Sequence, residues 1–154
     1  MDDEITYMRM ALEEAKTAMA RDEVPIGAVL VHCETGEIVS KNGNRTRELY
    51  DPSAHAEILV IREGCAHEEA QRIPDYDLYV TLEPCAMCAG AISFARIRRL
   101  VIGAQDPKGG GILHGGQFFE QKTCHHRPVV ISGVLEEACG QILKEFFKAK
   151  RKAL

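Results

Sequence analysis

The stretch DLYVTLEPCAMCAGAISFARIRRLVIGA, from Asp77 to Ala104, reads as strand, helix and strand in succession. Asp77 to Leu82 alternates apolar and polar residues, the period of a half-buried strand. Pro84 suits a first helical turn, where its fixed φ matches the helix and its missing N–H would have no intrahelical partner. Ala86 to Ala95 follows as the helix, and Leu100 to Ala104 is a short apolar run that stops at Asp106-Pro107. A helix crossing between two strands favours a sheet with helices on its faces.

The flanking sequence extends this pattern. Ile5, Met8, Leu12, Ala15 and Met19 recur at spacings of three and four, one stripe of a helix that ends near Arg21. Pro25 to His32 is apolar and rich in Val and Ile, Glu34-Thr35-Gly36 supplies turn chemistry, and Glu37 to Ser40 returns, which predicts an antiparallel hairpin. Asn42-Gly43-Asn44 reads as a loop, and Asp51-Pro52-Ser53 offers helix-start residues before a second helix from Ala54 to Cys65. After Ala104, Gly109-Gly110-Gly111 and Gly115-Gly116 read as a flexible loop. That loop does not resemble a phosphate-binding loop, since Lys108 precedes the glycines and no Gly-Lys-Ser/Thr closes them. Val129 to Ser132 is a further strand. Glu136 to Lys150 is an amphipathic helix offering Ala138, Ile142, Leu143, Phe146 and Phe147 to the core. The order predicts an α/β protein: a three-layer α/β/α sandwich with a mixed five-stranded sheet and helices on both faces. No repeat or linker divides it, so residues 1–154 are expected to form a single domain.

The composition agrees: 154 residues, 45% hydrophobic and 27% charged, suit one globular domain. The apolar run from Val24 to Val31, about eight residues, is far short of the roughly 20 that span a bilayer. Asp2, Asp3 and Glu4 at the N-terminus are unlike a secretory signal, so the expected location is cytoplasmic. Six cysteines are too few for a disulfide-stapled scaffold, and in a reducing compartment close pairs bind metal or do redox chemistry. The net charge of -4 argues against a broadly basic nucleic-acid coat. Basic patches nonetheless occur at Arg96, Arg98 and Arg99 and at Lys144, Lys148, Lys150, Arg151 and Lys152.

The chemistry resides in His55-Ala56-Glu57 and Pro84-Cys85-Ala86-Met87-Cys88. Two thiolates and one imidazole suit zinc, and three protein ligands leave a fourth tetrahedral position open. Cys85 and Cys88, three apart at a helix start, share a face where the helix dipole favours thiolate. His55 and Glu57 would diverge on a regular helix, so His55 is expected at its non-helical N-terminal boundary. Zinc can lower the pKa of its water to about 7, and Glu57 would take that proton and deliver it to the substrate. This fits hydrolytic attack on an amino-bearing ring carbon. Taken alone, Cys-x-x-Cys also fits a redox pair, a structural zinc half-site or buried thiols. Cys124-His125-His126 could complete the sphere and make the site structural. Cys33, Cys65 and Cys139 read as packing residues, and His32, His67 and His114 as surface or loop histidines.

His55-Ala56-Glu57 with Pro84-Cys85-Ala86-Met87-Cys88 resembles the cytidine-deaminase-like zinc deaminases. Within them, Val24 to Val29, Asp51 to Ile58, Thr81 to Ile92, Asp106-Pro107-Lys108 and Phe146-Phe147 are similar in order and spacing to the family of bacterial tRNA-specific adenosine deaminases. The resemblance implies one Zn2+ per subunit at His55, Cys85 and Cys88, and a proton shuttle at Glu57. It implies that Asn44 hydrogen-bonds the purine edge and that Val24, Ile26 and Leu82 wall the base. Pro84, Ala86 and Asp106 would also contact the substrate, and the assembly would be a homodimer. The implied reaction is deamination of adenosine to inosine at the wobble position of a tRNA, with an arginine tRNA as the expected partner. The segment Ile112 to Phe119 departs from the family's small-residue loop, which puts loop and dimer contacts there in doubt.

An RNA substrate has a physical case as well. A base splayed from a single-stranded loop costs least to place in a pocket. Phe146 or Phe147 beside Lys150 and Arg151 could stack and bind phosphates, with Lys108 a further candidate. The competing readings are a small-molecule guanine or cytosine deaminase and a non-catalytic zinc-stabilised binding module.

Overall fold

A computed structural model describes residues 2–153. Helix α1 (Asp2–Ala20) buries Met8, Leu12 and Ala15 of the expected stripe, while Ile5 stays exposed. The hairpin strands are β1 (Gly27–His32) and β2 (Ile38–Gly43). β2 runs past Ser40 because Asn42 and Gly43 pair with Ala28 and Gly27. The expected loop therefore begins only after Gly43. Helix α2 (Ala56–Glu68), strand β3 (Tyr76–Leu82), helix α3 (Ala86–Phe94) and strand β4 (Arg99–Ala104) follow. Pro84 lies outside α3 rather than in its first turn, because Cys85, with extended backbone, is the cap. Strand β5 (Val129–Ile131) and helix α4 (Glu136–Ala153) complete the order, with a short 3-10 turn at Phe118–Glu120 that the glycine-rich sequence did not announce.

The five strands lie in the order β2-β1-β3-β4-β5. β1 is antiparallel to both β2 and β3, whereas β3–β4, joined by the crossover helix α3, and β4–β5, joined by a long loop carrying the 3-10 turn, are parallel. Strand alternation splits the core in two. Ala28, Leu30, Leu78, Val80, Leu100 and Ile102 pack with α2 and α3 residues such as Val60 and Ile92. Val29, Val31, Tyr79 and Val101 face α1 and α4 through Met8, Ala11, Leu12 and Ile142. The result is the expected α/β/α sandwich. α1 lies very close to the hairpin: a Cβ on Gly27 would stand 2.0 Å from the Ala11 carbonyl oxygen. Both α2 and α3 start beyond the same edge of the sheet, where β3 ends, and this brings their N-termini together. Among the described residues no helix is long and apolar enough to cross a membrane.

Candidate active site

His55 caps α2 with extended backbone, φ -73° and ψ 153°, and Glu57 lies in the first turn of that helix. The break between cap and helix lets two side chains of i, i+2 spacing serve one centre. Cys85 caps α3 in the same way and Cys88 lies in its first turn. His55 Nδ1 is 3.7 Å from Cys85 Sγ and 3.5 Å from Cys88 Sγ. Ligand atoms at zinc–nitrogen and zinc–sulfur distances, with a tetrahedral angle between them, would stand about 3.6 Å apart. The donor set therefore fits zinc without rearrangement, and its three ligand atoms lie within 4.8 Å of one another. Among the described residues that group contains no fourth protein ligand. Cys124 is directed elsewhere, toward Ser93 Oγ at 3.5 Å and the His126 carbonyl at 3.1 Å, and His126 Nε2 donates to the Ile97 carbonyl at 2.6 Å. The alternative in which this segment completes the sphere is thus not supported among the described residues.

Charge follows geometry. Hydrogen bonds from Cys88 and His55 hold the Cys85 thiol down at about 3, so it is a ready thiolate. The same bond to Cys85, together with burial, raises Cys88, and His55 is raised by its bond to Cys85. Burial pushes the Glu57 carboxyl up to about 7, against 4.5 for the ordinary group. A carboxyl poised near neutrality, and hydrogen-bonded to Cys88, can both accept and release a proton.

Asn44 is buried, and its Oδ1 accepts the Ala56 N–H at 2.8 Å, binding the loop after β2 to the start of α2. Val24, Ile26 and Leu82 are half-buried, Pro84 is buried and Ala86 is exposed. Asp106 is half-buried and its Oδ1 accepts the Lys108 and Gly109 N–H groups, while Lys108 is exposed. On α4, Phe146 is buried and Phe147 exposed, so of the two expected stacking residues only Phe147 presents its ring. Lys150 is half-buried, lies over the Phe146 ring at 5.5 Å and contacts Asp22, which also holds Arg47. Arg151 is exposed.

Two carboxylates escaped the sequence reading. Glu23 is 1% exposed and accepts the Arg47 N–H at 3.2 Å, the Glu48 N–H at 2.8 Å and the Thr46 hydroxyl at 3.4 Å. Glu83 is 2% exposed. Its Oε1 accepts the Asp106 N–H at 3.0 Å and His114 Nδ1 at 2.8 Å. Its Oε2 accepts the N–H groups of Ile112, Leu113 and His114 at 3.1, 2.9 and 3.1 Å. Burial alone would raise the Glu83 carboxyl, but these donors outweigh it and hold it below the ordinary range. The signal was an acid beside or near a proline at an element boundary, Glu23-Val24-Pro25 and Glu83-Pro84. The glycine loop is thus no free flap. Gly110 and Gly111 are buried, and the Gly111 N–H donates to the Pro84 carbonyl at 2.8 Å. His114, expected to be a loop histidine without a role, is part of this contact.

The profile of the cytidine and deoxycytidylate deaminase zinc-binding region matches residues 1–104. The tRNA-specific adenosine deaminase of Agrobacterium fabrum is 59% identical over 145 residues, 94% of each chain. That of Bacillus subtilis is 46% identical over 146 residues, 95% of this chain and 89% of its own. A solved structure from studies of A-to-I editing by tRNA:A34 deaminases superposes with a TM-score of 0.87 at 59% identity, covering 90% of this chain and 99% of that one. A guanine deaminase from Nitrosomonas europaea superposes with a TM-score of 0.79 at 22% identity, covering 92% of this chain and 83% of that one, and shares the fold.

Proposed function

The chain belongs to the cytidine and deoxycytidylate deaminase zinc-binding family, and from that premise we propose that it is a zinc-dependent hydrolase converting adenosine to inosine at the wobble position of a tRNA anticodon loop. The observation that carries the chemistry is the convergence of His55, Cys85 and Cys88, their ligand atoms within 4.8 Å of one another, beside the buried carboxyl of Glu57. The choice of tRNA over a free base rests on similarity along nearly the whole chain to tRNA-specific deaminases, against fold alone for the guanine deaminase.

His55, Cys85 and Cys88 would hold one zinc ion per subunit, which supplies Lewis acidity that makes water a nucleophile near neutral pH. Water adds at C6 of adenine, the bond to the exocyclic nitrogen breaks, and ammonia leaves. Glu57 passes one water proton to N1, where the product keeps it, and carries the second, from the added hydroxyl, to the departing nitrogen, so that C6 becomes a carbonyl and the carboxyl ends as it began. Asn44 orients the purine through its Nδ2 donors, its oxygen being engaged by Ala56. Val24, Ile26, Leu82, Pro84 and Ala86 flank the base; Asp106, Lys108, Phe147, Lys150 and Arg151 meet the flanking nucleotides, with Phe146 backing Lys150. We read 1–154 as one domain that works in the cytoplasm, on an arginine tRNA, as a homodimer. The dimer reading is supported by an apolar stripe on α3, where Met87 is 41% and Phe94 68% exposed.

The test is incubation of the zinc-loaded protein with unmodified arginine tRNA carrying a wobble adenosine, beside Glu57→Ala. Inosine at that position with the parent protein and a loss of at least about a hundredfold in the variant are expected. No inosine with zinc bound, but turnover of free guanine, would overturn the substrate assignment.

A further inference from the structure

We propose that Glu83 is a positioning residue: its buried carboxylate latches the 106–114 loop onto the Pro84-Cys85 turn and so fixes that loop against the metal ligands. The role in substrate binding rests on the reading above, since Asp106 and Lys108 are the substrate contacts on this loop. Every side-chain hydrogen bond described for Glu83 comes from the loop. Four are main-chain N–H groups and one is the His114 imidazole, so losing the carboxylate frees the loop and leaves the sheet ladder intact. The side chain is wholly shielded from solvent, where water cannot replace a lost acceptor.

Glycine makes the approach feasible. A Cβ on Gly110 would stand 2.3 Å from Glu83 Oε2, and one on Gly111 2.7 Å from the Ala86 nitrogen. The loop backbone is thus pressed against both the latch and the first residue of α3. Since the Gly111 N–H also meets the Pro84 carbonyl, loop and ligand-bearing turn move as one body. A glutamine at 83 has the right volume but fails chemically. Both carboxylate oxygens face main-chain N–H donors, so the amide NH2 must oppose at least one of them in either orientation.

Glu83→Gln and Gly110→Ala attack the latch from its two sides, so misfolding of one leaves the other to decide. Hydrogen exchange over residues 105–116, zinc content and the kinetics on an anticodon stem–loop RNA are measured for both. Exchange in the loop is expected to quicken by about tenfold or more with zinc retained. KM is expected to rise about tenfold while kcat changes less than about threefold, because loop contacts are misplaced rather than the chemistry removed. Unchanged exchange, unchanged KM, or zinc lost in step with activity would each overturn the proposal. If the parent protein itself leaves the stem–loop untouched, the tRNA reading falls, and the exchange comparison still decides the latch.

Discussion

At Asn44 one carboxamide serves the fold and, in the proposed function, the chemistry as well. Its oxygen accepts the Ala56 N–H at 2.8 Å, a partner that the His55 cap does not supply since its side chain makes no capping bond. On the proposed reading its nitrogen serves the purine. Asn44→Ala is expected to cost about 1 kcal/mol in urea unfolding and to lower kcat/KM by about tenfold or more. Asn44→Asp separates the roles: the acceptor returns and stability recovers, while the missing donors keep kcat/KM low. His55, Glu57, Cys85 and Cys88 were legible in the sequence because their meaning lies in short spacing. Glu23 and Glu83 were not, because a buried carboxylate is defined by its donors, and those of Glu83 lie more than twenty residues downstream.

Among elements, α1 and the hairpin meet through small residues. A Cβ on Gly27 would also approach the Ala15 nitrogen to 2.6 Å, and one on Gly43 the Glu14 carbonyl oxygen to 2.6 Å. Backbone rather than side chain blocks the space, so it cannot yield by changing a rotamer. Gly27→Ala is expected to destabilise by about 1–3 kcal/mol, read as a lower urea midpoint with unchanged slope. Element order was legible from hydrophobic periodicity, down to the brief β5. Two of the errors fell where glycine dominates. Gly43 resembles a loop residue but lies in β2, and Gly110-Gly111 resembles a flexible loop but is packed, since glycine marks close approach as readily as freedom.

For the whole molecule, Met87 and Phe94 form an exposed stripe on α3, and Leu113, also exposed, lies on the loop that Glu83 holds. A second copy seated there would bring two metal centres near one interface. On the proposed dimer, Phe94→Lys is expected to weaken self-association at least about thirtyfold, seen as a shift to monomer in sedimentation. Nothing in composition or periodicity foretold this surface, because an apolar residue reads alike whether its cover is its own core or another chain. The strand order also has a consequence in time. Cys85 and Cys88 belong to one local turn, whereas His55 comes from another helix and reaches them through the packing of α2 on α3 and a sheet in which Ala28 pairs with Val80, a closure of about fifty residues that forms late. A nascent chain would therefore offer zinc a two-sulfur foothold first and its histidine last, so that the ion seals a nearly finished fold instead of seeding it.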